Sequence, residues 1–278
     1  MKGWLRALLI ILPFFIIVGI FQIFGLLIAG VDYTNPESEQ TSTQQLIISF
    51  FNLAGTFLLL WVFMKFLDKE PLVDLGFQYK NRLIDVIVGI LIGFIIMTIG
   101  YNLLVYLNEI VFLKVNFDFK ELFIVTLIFA IVAVVEESLF RGYILKNLMV
   151  SFNKYFALII SSILFSLMHS FNQNVDLFSF FNLFLAGILL GMSYIYTKNL
   201  WFPIALHFSW NLFQSLLGFN VSGRDSYSII DFQLNESNLI NGGAFGFEGS
   251  YLAIIAEILT IIGIGIYYNR KNRIKPIN

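Results

Sequence analysis

Eight apolar runs, each close to 20 residues long, decide what this chain can fold into. They cover residues 7–31, 44–67, 83–107, 122–148, 155–172, 177–197, 202–218 and 250–268. A helix rises 1.5 Å per residue, so a run of that length can cross a hydrocarbon core about 30 Å thick. In lipid every backbone N–H and C=O must be paired within the protein, which leaves helices as the solution for runs of this length. The composition agrees: 58% of the 278 residues are hydrophobic and 13% are charged, against about 25% charged in soluble domains. The expected fold is all-α and polytopic, a single integral-membrane domain over 1–278 with about eight transmembrane helices.

The breaks between runs are polar or rich in turn formers, as in Asp32-Tyr33-Thr34-Asn35-Pro36-Glu37 and Asp68-Lys69-Glu70-Pro71. The basic start, Met1-Lys2-Gly3-Trp4-Leu5-Arg6, precedes an apolar run about twice the length of a signal-peptide core, and is read as a retained first span. With both termini in the cytoplasm and alternating crossings, 14 of the 17 Lys and Arg residues fall on the cytoplasmic side. The other side holds Lys114, Lys120 and Arg224 and carries the acids Asp32, Glu37, Glu39, Asp225, Asp231, Glu236 and Glu248. That distribution satisfies the positive-inside rule for a multi-pass cell-membrane protein. The longest break, 219–249, is rich in Asn, Ser and Gly and is read as a flexible extracytoplasmic loop.

A net charge of −1 argues against a nucleic-acid partner, and the absence of cysteine excludes disulfides and thiolate chemistry. A metal site could use only His, Asp, Glu or Asn. Against this background a few polar residues stand out. The chain has two histidines, His169 and His207, and both lie in apolar runs. A third run carries adjacent acids, Glu136 and Glu137. Ionisable groups at membrane depth cost roughly 2.5–3.5 kcal/mol each on insertion scales and usually mark function.

Spacing divides the roles. Successive helical residues point about 100° apart, so Glu136 and Glu137 cannot face one point. Arg141 follows Glu137 by four residues and shares its face. Glu137 is therefore expected to pair with Arg141, leaving Glu136 to present a carboxylate to a polar intramembrane cavity. His207 and Asn211 are also four apart and share a face. A carboxylate with an imidazole suits general-base activation of water, and His and Asn donors suit an oxyanion hole. Two His and a Glu equally suit catalytic zinc with Glu136, His169 and His207 as ligands, and the residues alone leave both chemistries open. A transporter relaying protons and a non-enzymatic binding or immunity protein are the competing classes. The sequence Gly191-Met192-Ser193-Tyr194 is read as small-residue helix packing around Ser193 rather than a serine site.

In chain order and in separate runs, Glu136-Glu137-x-x-x-Arg141, Phe165-x-x-x-His169 and His207-x-x-x-Asn211 resemble the motifs of the CPBP family. These are intramembrane proteases of the CAAX-processing and bacteriocin-processing (Abi) type, related to the Ras-converting CAAX protease. The motifs lie within a core over 122–218. The resemblance implies a bundle with an internal cavity and a peptidase in which Glu136, helped by His169, activates water. It implies that His207 and Asn211 stabilise the oxyanion, and that Glu137, Arg141 and Phe165 support the site. It favours a glutamate-dependent mechanism over a metal-dependent one. The expected substrate is a membrane-embedded or membrane-associated peptide or protein, and the Ile-, Phe-, Asn- and Lys-rich composition points to a bacterial membrane.

Overall fold

The computed structural model describes residues 1–32 and 40–274, with side chains through Lys271. Of the first predicted break only Asp32 is within reach of description; Glu37, Glu39 and Lys275 lie outside the described residues. A helical segment stands at each of the eight apolar runs. The first is α1 (Gly3–Leu9) followed by α2 (Ile11–Ile28). The break between them falls at Ile10, three residues before Pro13, whose ring would clash with the carbonyl of Leu9 in a continuous helix. Next come α3 (Ser42–Phe63) and α4 (Leu83–Tyr106). α3 opens on a capping box in which Thr41 and Gln44 exchange side-chain and backbone hydrogen bonds.

The fourth segment is the longest. α5 (Phe119–Glu137) is capped by Asp118, passes into a π-helical stretch over Ser138–Leu145 and ends as α6 (Lys146–Ser151), a continuous 33-residue span. Then follow α7 (Lys154–Met168), α8 (Leu177–Thr197), α9 (Trp201–Leu216) and α10 (Tyr251–Ile274).

The fold is an all-α membrane bundle, as expected, with six helical spans among the described residues long and apolar enough to cross a bilayer. The two remaining helices, α7 with 15 residues and α9 with 16, are shorter. At 1.5 Å per residue they reach about 24 Å, less than the hydrocarbon thickness. They are also the helices that carry the histidine motifs. α9 lies inside the bundle, with Leu206, Ser209, Gln214 and Ser215 fully buried. α4 can press against it because glycine faces it at two positions four apart. A Cβ on Gly89 would sit 2.9 Å from the backbone of Leu206, and one on Gly93 would sit 2.2 Å from Ser209 Oγ. Close backbone approach at small residues is the usual way helices pack where lipid removes the hydrophobic drive. Ser209 Oγ donates to the Gly89 carbonyl across this contact at 3.1 Å.

The segment between α9 and α10 departs from expectation. It is not the flexible loop read from its composition. β2 (Ile230–Leu234) pairs antiparallel with β1 (Ile110–Val115), in a register running from Ile110 opposite Leu234 to Val115 opposite Ile230, with an irregularity between Phe112 and Lys114. Phe219, Val221, Phe245 and Phe247 are buried beneath it. The Asn and Gly residues that suggested looseness serve tight turns instead. Gly242, Gly243 and Gly246 all take left-handed φ, and Asn241 Nδ2 donates to Glu109 Oε2 at 2.9 Å. Two clefts of about 480 and 470 Å³ open on this cap; neither is lined by Glu136, His169 or His207.

Candidate active site

The site is assembled from α5, the π-helical stretch behind it, α7 and α9. Glu137 is the last residue of α5 and is fully buried. Its Oε1 accepts from Arg141 at 2.8 Å and meets His207 Nδ1 at 2.8 Å. Arg141 is 1% exposed; its second terminal nitrogen donates to the Gly187 carbonyl on α8 at 3.0 Å. Its guanidinium carbon stands 4.5 Å from the centre of the Phe165 ring, a cation–π contact. The Glu137–Arg141 pair therefore has further hydrogen bonds around it, the condition under which a buried ion pair is tolerated.

The helix widens to i→i+5 bonding immediately after the two acids. Single-turn π segments inside α-helices recur at functional sites because they re-aim side chains. Here Tyr143, within the widened stretch, donates to Asp68 Oδ2 at 2.9 Å, and Asp68 in turn pairs with Arg6. The stretch is thus fixed from outside as well as within.

Phe165 is buried and packs edge-on against Phe140, with ring centres 5.2 Å apart. The His169 ring is centred 4.5 Å from it. The Phe165 carbonyl meets His169 Nδ1 at 2.8 Å. A carbonyl can only accept, so Nδ1 carries the proton. At His207 the carboxylate of Glu137 places the donor on Nδ1 in the same way. Both imidazoles therefore turn Nε2 toward Glu136. The separations to Glu136 Oε2 are 3.6 Å from His169 and 4.0 Å from His207. That oxygen is buried and has no hydrogen-bond partner among the described residues. Asn211 lies one helical turn beyond His207, is 6% exposed, and makes no side-chain hydrogen bond among the described residues.

The structure thus brings Glu136, Glu137, Arg141, Phe165, His169 and His207 into one cluster, and places Asn211 one turn along α9. Each imidazole is oriented by a partner on its far nitrogen, the arrangement that fixes tautomer and direction at catalytic and metal-binding histidines. Among the described residues no group of three or more His, Asp or Glu side chains closes around a position that would hold a metal ion. Sequence reasoning missed three features: the Gly187 carbonyl that receives Arg141, the π-helical turn, and the cap residue Glu248, which lies within electrostatic reach of both imidazoles. Nothing in residue type marks a carbonyl or a π turn. Glu248 looked like one more acid in a polar outer loop.

A helical bundle with apolar spans and a buried carboxylate–imidazole cluster defines a multi-pass membrane protein with an internal polar cluster. Residues 118–213 match the family described as type II CAAX prenyl endopeptidase Rce1-like. The matched segment, about a third of the chain, runs from the cap of α5 into α9 and contains all seven motif residues, so over the part that builds the site the chain is similar to a family of membrane endopeptidases. A search of curated proteins finds no match.

Proposed function

We propose that the protein is an intramembrane endopeptidase in which Glu136 activates the attacking water. The observation that carries this reading is the unpartnered Glu136 Oε2, faced by the Nε2 atoms of two pre-oriented imidazoles. Separations of 3.6 and 4.0 Å are too long for direct hydrogen bonds and short enough for one water molecule to touch all three groups. Glu136 takes a proton from that water, with His169 holding it, and the oxygen attacks the peptide carbonyl carbon. The negative charge that develops on the carbonyl oxygen is met by the Asn211 amide and by His207. His207 can donate from Nε2 only as the imidazolium, because Nδ1 already points at Glu137. The proton on Glu136 then passes to the leaving nitrogen as the C–N bond breaks.

Glu137 and Arg141 hold His207 in direction, and Phe165 holds His169. The substrate class is a membrane-embedded or membrane-associated peptide or protein, and the proposed setting is a bacterial cell membrane with both termini cytoplasmic. If a divalent ion such as zinc takes part, Glu136, His169 and His207 are its candidate ligands, although as they stand the described side chains do not close around a metal position, and the ion would supply Lewis-acid activation of the same water.

The test compares purified wild type with Glu136→Ala on a library of membrane peptides, alongside metal analysis and chelator treatment. The expected result is cleavage by wild type, loss in the variant, and no effect of chelation. Equal cleavage by both proteins removes Glu136 from the mechanism. Chelator-sensitive activity in metal-loaded protein moves the assignment to the metal-dependent form.

A further inference from the structure

The cap between α9 and α10 has no part in the reaction as written, yet it is bonded to the catalytic cluster. α7 ends at Met168, so His169 lies just past the last helical residue and its placement depends on the turn that follows. That turn is gripped by the cap. Asn172 N donates to the His169 carbonyl at 3.0 Å, and Asn172 Nδ2 donates to the Ser222 carbonyl at 3.2 Å. Two positions on, Asn174 Nδ2 donates to the Gly223 carbonyl at 3.2 Å. The approach is close enough to demand glycine: a Cβ on Gly223 would fall 1.8 Å from the Gln173 carbonyl oxygen.

Ser222 itself has φ of 49°, a left-handed conformation unusual for a residue with a side chain. Such strain persists where the surroundings over-determine it. The determinant here is Glu248, whose Oε2 accepts from both Ser222 N at 3.0 Å and Ser222 Oγ at 2.8 Å. Glu248 is buried, and its own backbone is fixed by Asn182 Nδ2, which donates to the Glu248 carbonyl at 2.5 Å.

We infer that Glu248 is a positioning residue for His169, acting through Ser222 and Asn172. The chain of contacts runs from the Glu248 carboxylate to Ser222, from the Ser222 carbonyl to the Asn172 amide, and from Asn172 N to the His169 carbonyl. The geometry is independent of what the site does; its effect on turnover rests on the proteolytic reading. In that reading the cap sets the distance between His169 Nε2 and Glu136, and misplacing a catalytic group by about 1 Å can cost on the order of a hundredfold in rate.

The chain holds two histidines, so histidine-selective NMR of the full protein in nanodiscs gives two imidazole signals, assigned with His169→Gln and His207→Gln. Glu248→Ala and Asn172→Ala cut the contact chain at opposite ends. Glu248→Gln keeps an acceptor for Ser222 while removing the charge. Both alanine variants are expected to move the His169 signal, and to lower kcat about tenfold to a hundredfold with KM changed by less than about twofold. Glu248→Gln is expected to keep most of the wild-type kcat.

An unmoved His169 signal and unchanged kcat in folded Asn172→Ala and Glu248→Ala overturn the inference. So does a Glu248→Gln variant as impaired as Glu248→Ala, which would assign the effect to charge rather than to the clamp. Should Glu248→Ala fail to fold, Asn172→Ala carries the test alone. The NMR signals need no turnover, so a protein that cleaves nothing would end the proteolytic reading while leaving the positioning of His169 decidable.

Discussion

Two adjacent glutamates do different work because one residue of helix turns them apart. Glu137 is spent inward on Arg141 and His207; Glu136 is left with an oxygen that has no hydrogen-bond partner among the described residues and faces the two imidazoles. The pairing of Glu137 with Arg141 was legible from an i,i+4 spacing in an apolar run. The second bond of Glu137, to His207 seventy residues away, was not, because spacing reports only neighbours on the same helix. This difference in surroundings predicts a difference in stability. Glu137→Gln removes the charge that balances a buried guanidinium, and breaking a buried pair costs about 3–5 kcal/mol. Glu136→Gln removes a charge that, among the described residues, has no Lys or Arg in ion-pair contact and only the imidazoles at 3.6 and 4.0 Å, and is expected to cost far less. Unfolding of both variants in detergent, followed by heat or denaturant, gives the comparison. A Glu136→Gln variant that is the less stable of the two would refute the assignment of roles.

At the scale of elements, the eight helical segments were legible because each needs a long uninterrupted apolar run, and such runs are hard to mistake. Their number hid a distinction. The runs at 155–172 and 202–218 also include turn residues beyond the helix ends, so α7 and α9 come out shorter than spans. The cap was misread for a related reason. A Gly- and Asn-rich segment has the composition of a loose loop, and only tertiary contacts reveal that its glycines are used for close approach. The same kind of contact holds α9 against α4, and it gives a prediction at this scale. Gly93→Ala would put a methyl group 2.2 Å from Ser209 Oγ and 2.8 Å from the Trp210 backbone nitrogen. A side chain can rotate away, but a backbone nitrogen cannot, so the helices must separate. Overpacking of this sort costs about 1–3 kcal/mol. The shift would also carry His207 and Asn211 with α9. Gly93→Ala is therefore expected to lower both the melting temperature and kcat, whereas Gly19→Ala, with open space around the added carbon, is expected to change neither.

The molecule as a whole places the proposed active site beside a folded cap, and the cap adds a buried ionisable group, Glu248, near the two imidazoles. Burial pushes the Glu248 carboxyl above its ordinary value of 4.5; the hydrogen bonds from Ser222 and the nearby imidazoles of His169 and His207 pull the other way without cancelling it. A carboxyl raised in the folded state binds its proton more tightly there than in the unfolded chain. Its contribution to stability is then fully present below about 4.5 and is lost as pH rises through the higher folded value. The protein should accordingly lose stability across that interval on the alkaline side of the ordinary glutamate value. Glu248→Gln keeps an acceptor for Ser222 but cannot ionise, so its stability should vary less with pH over the same interval. Melting temperatures of the two proteins in one detergent, measured at steps from about pH 4 to about pH 8, provide the check. The expected pattern is a difference between variant and wild type that grows in favour of the variant as pH rises. A difference that stays constant across the series would mean that Glu248 titrates as it does in the unfolded chain. The buried carboxylate would then have to be compensated in the folded state to the same degree as in water, and the cap would carry no electrostatic strain for the protein to relieve.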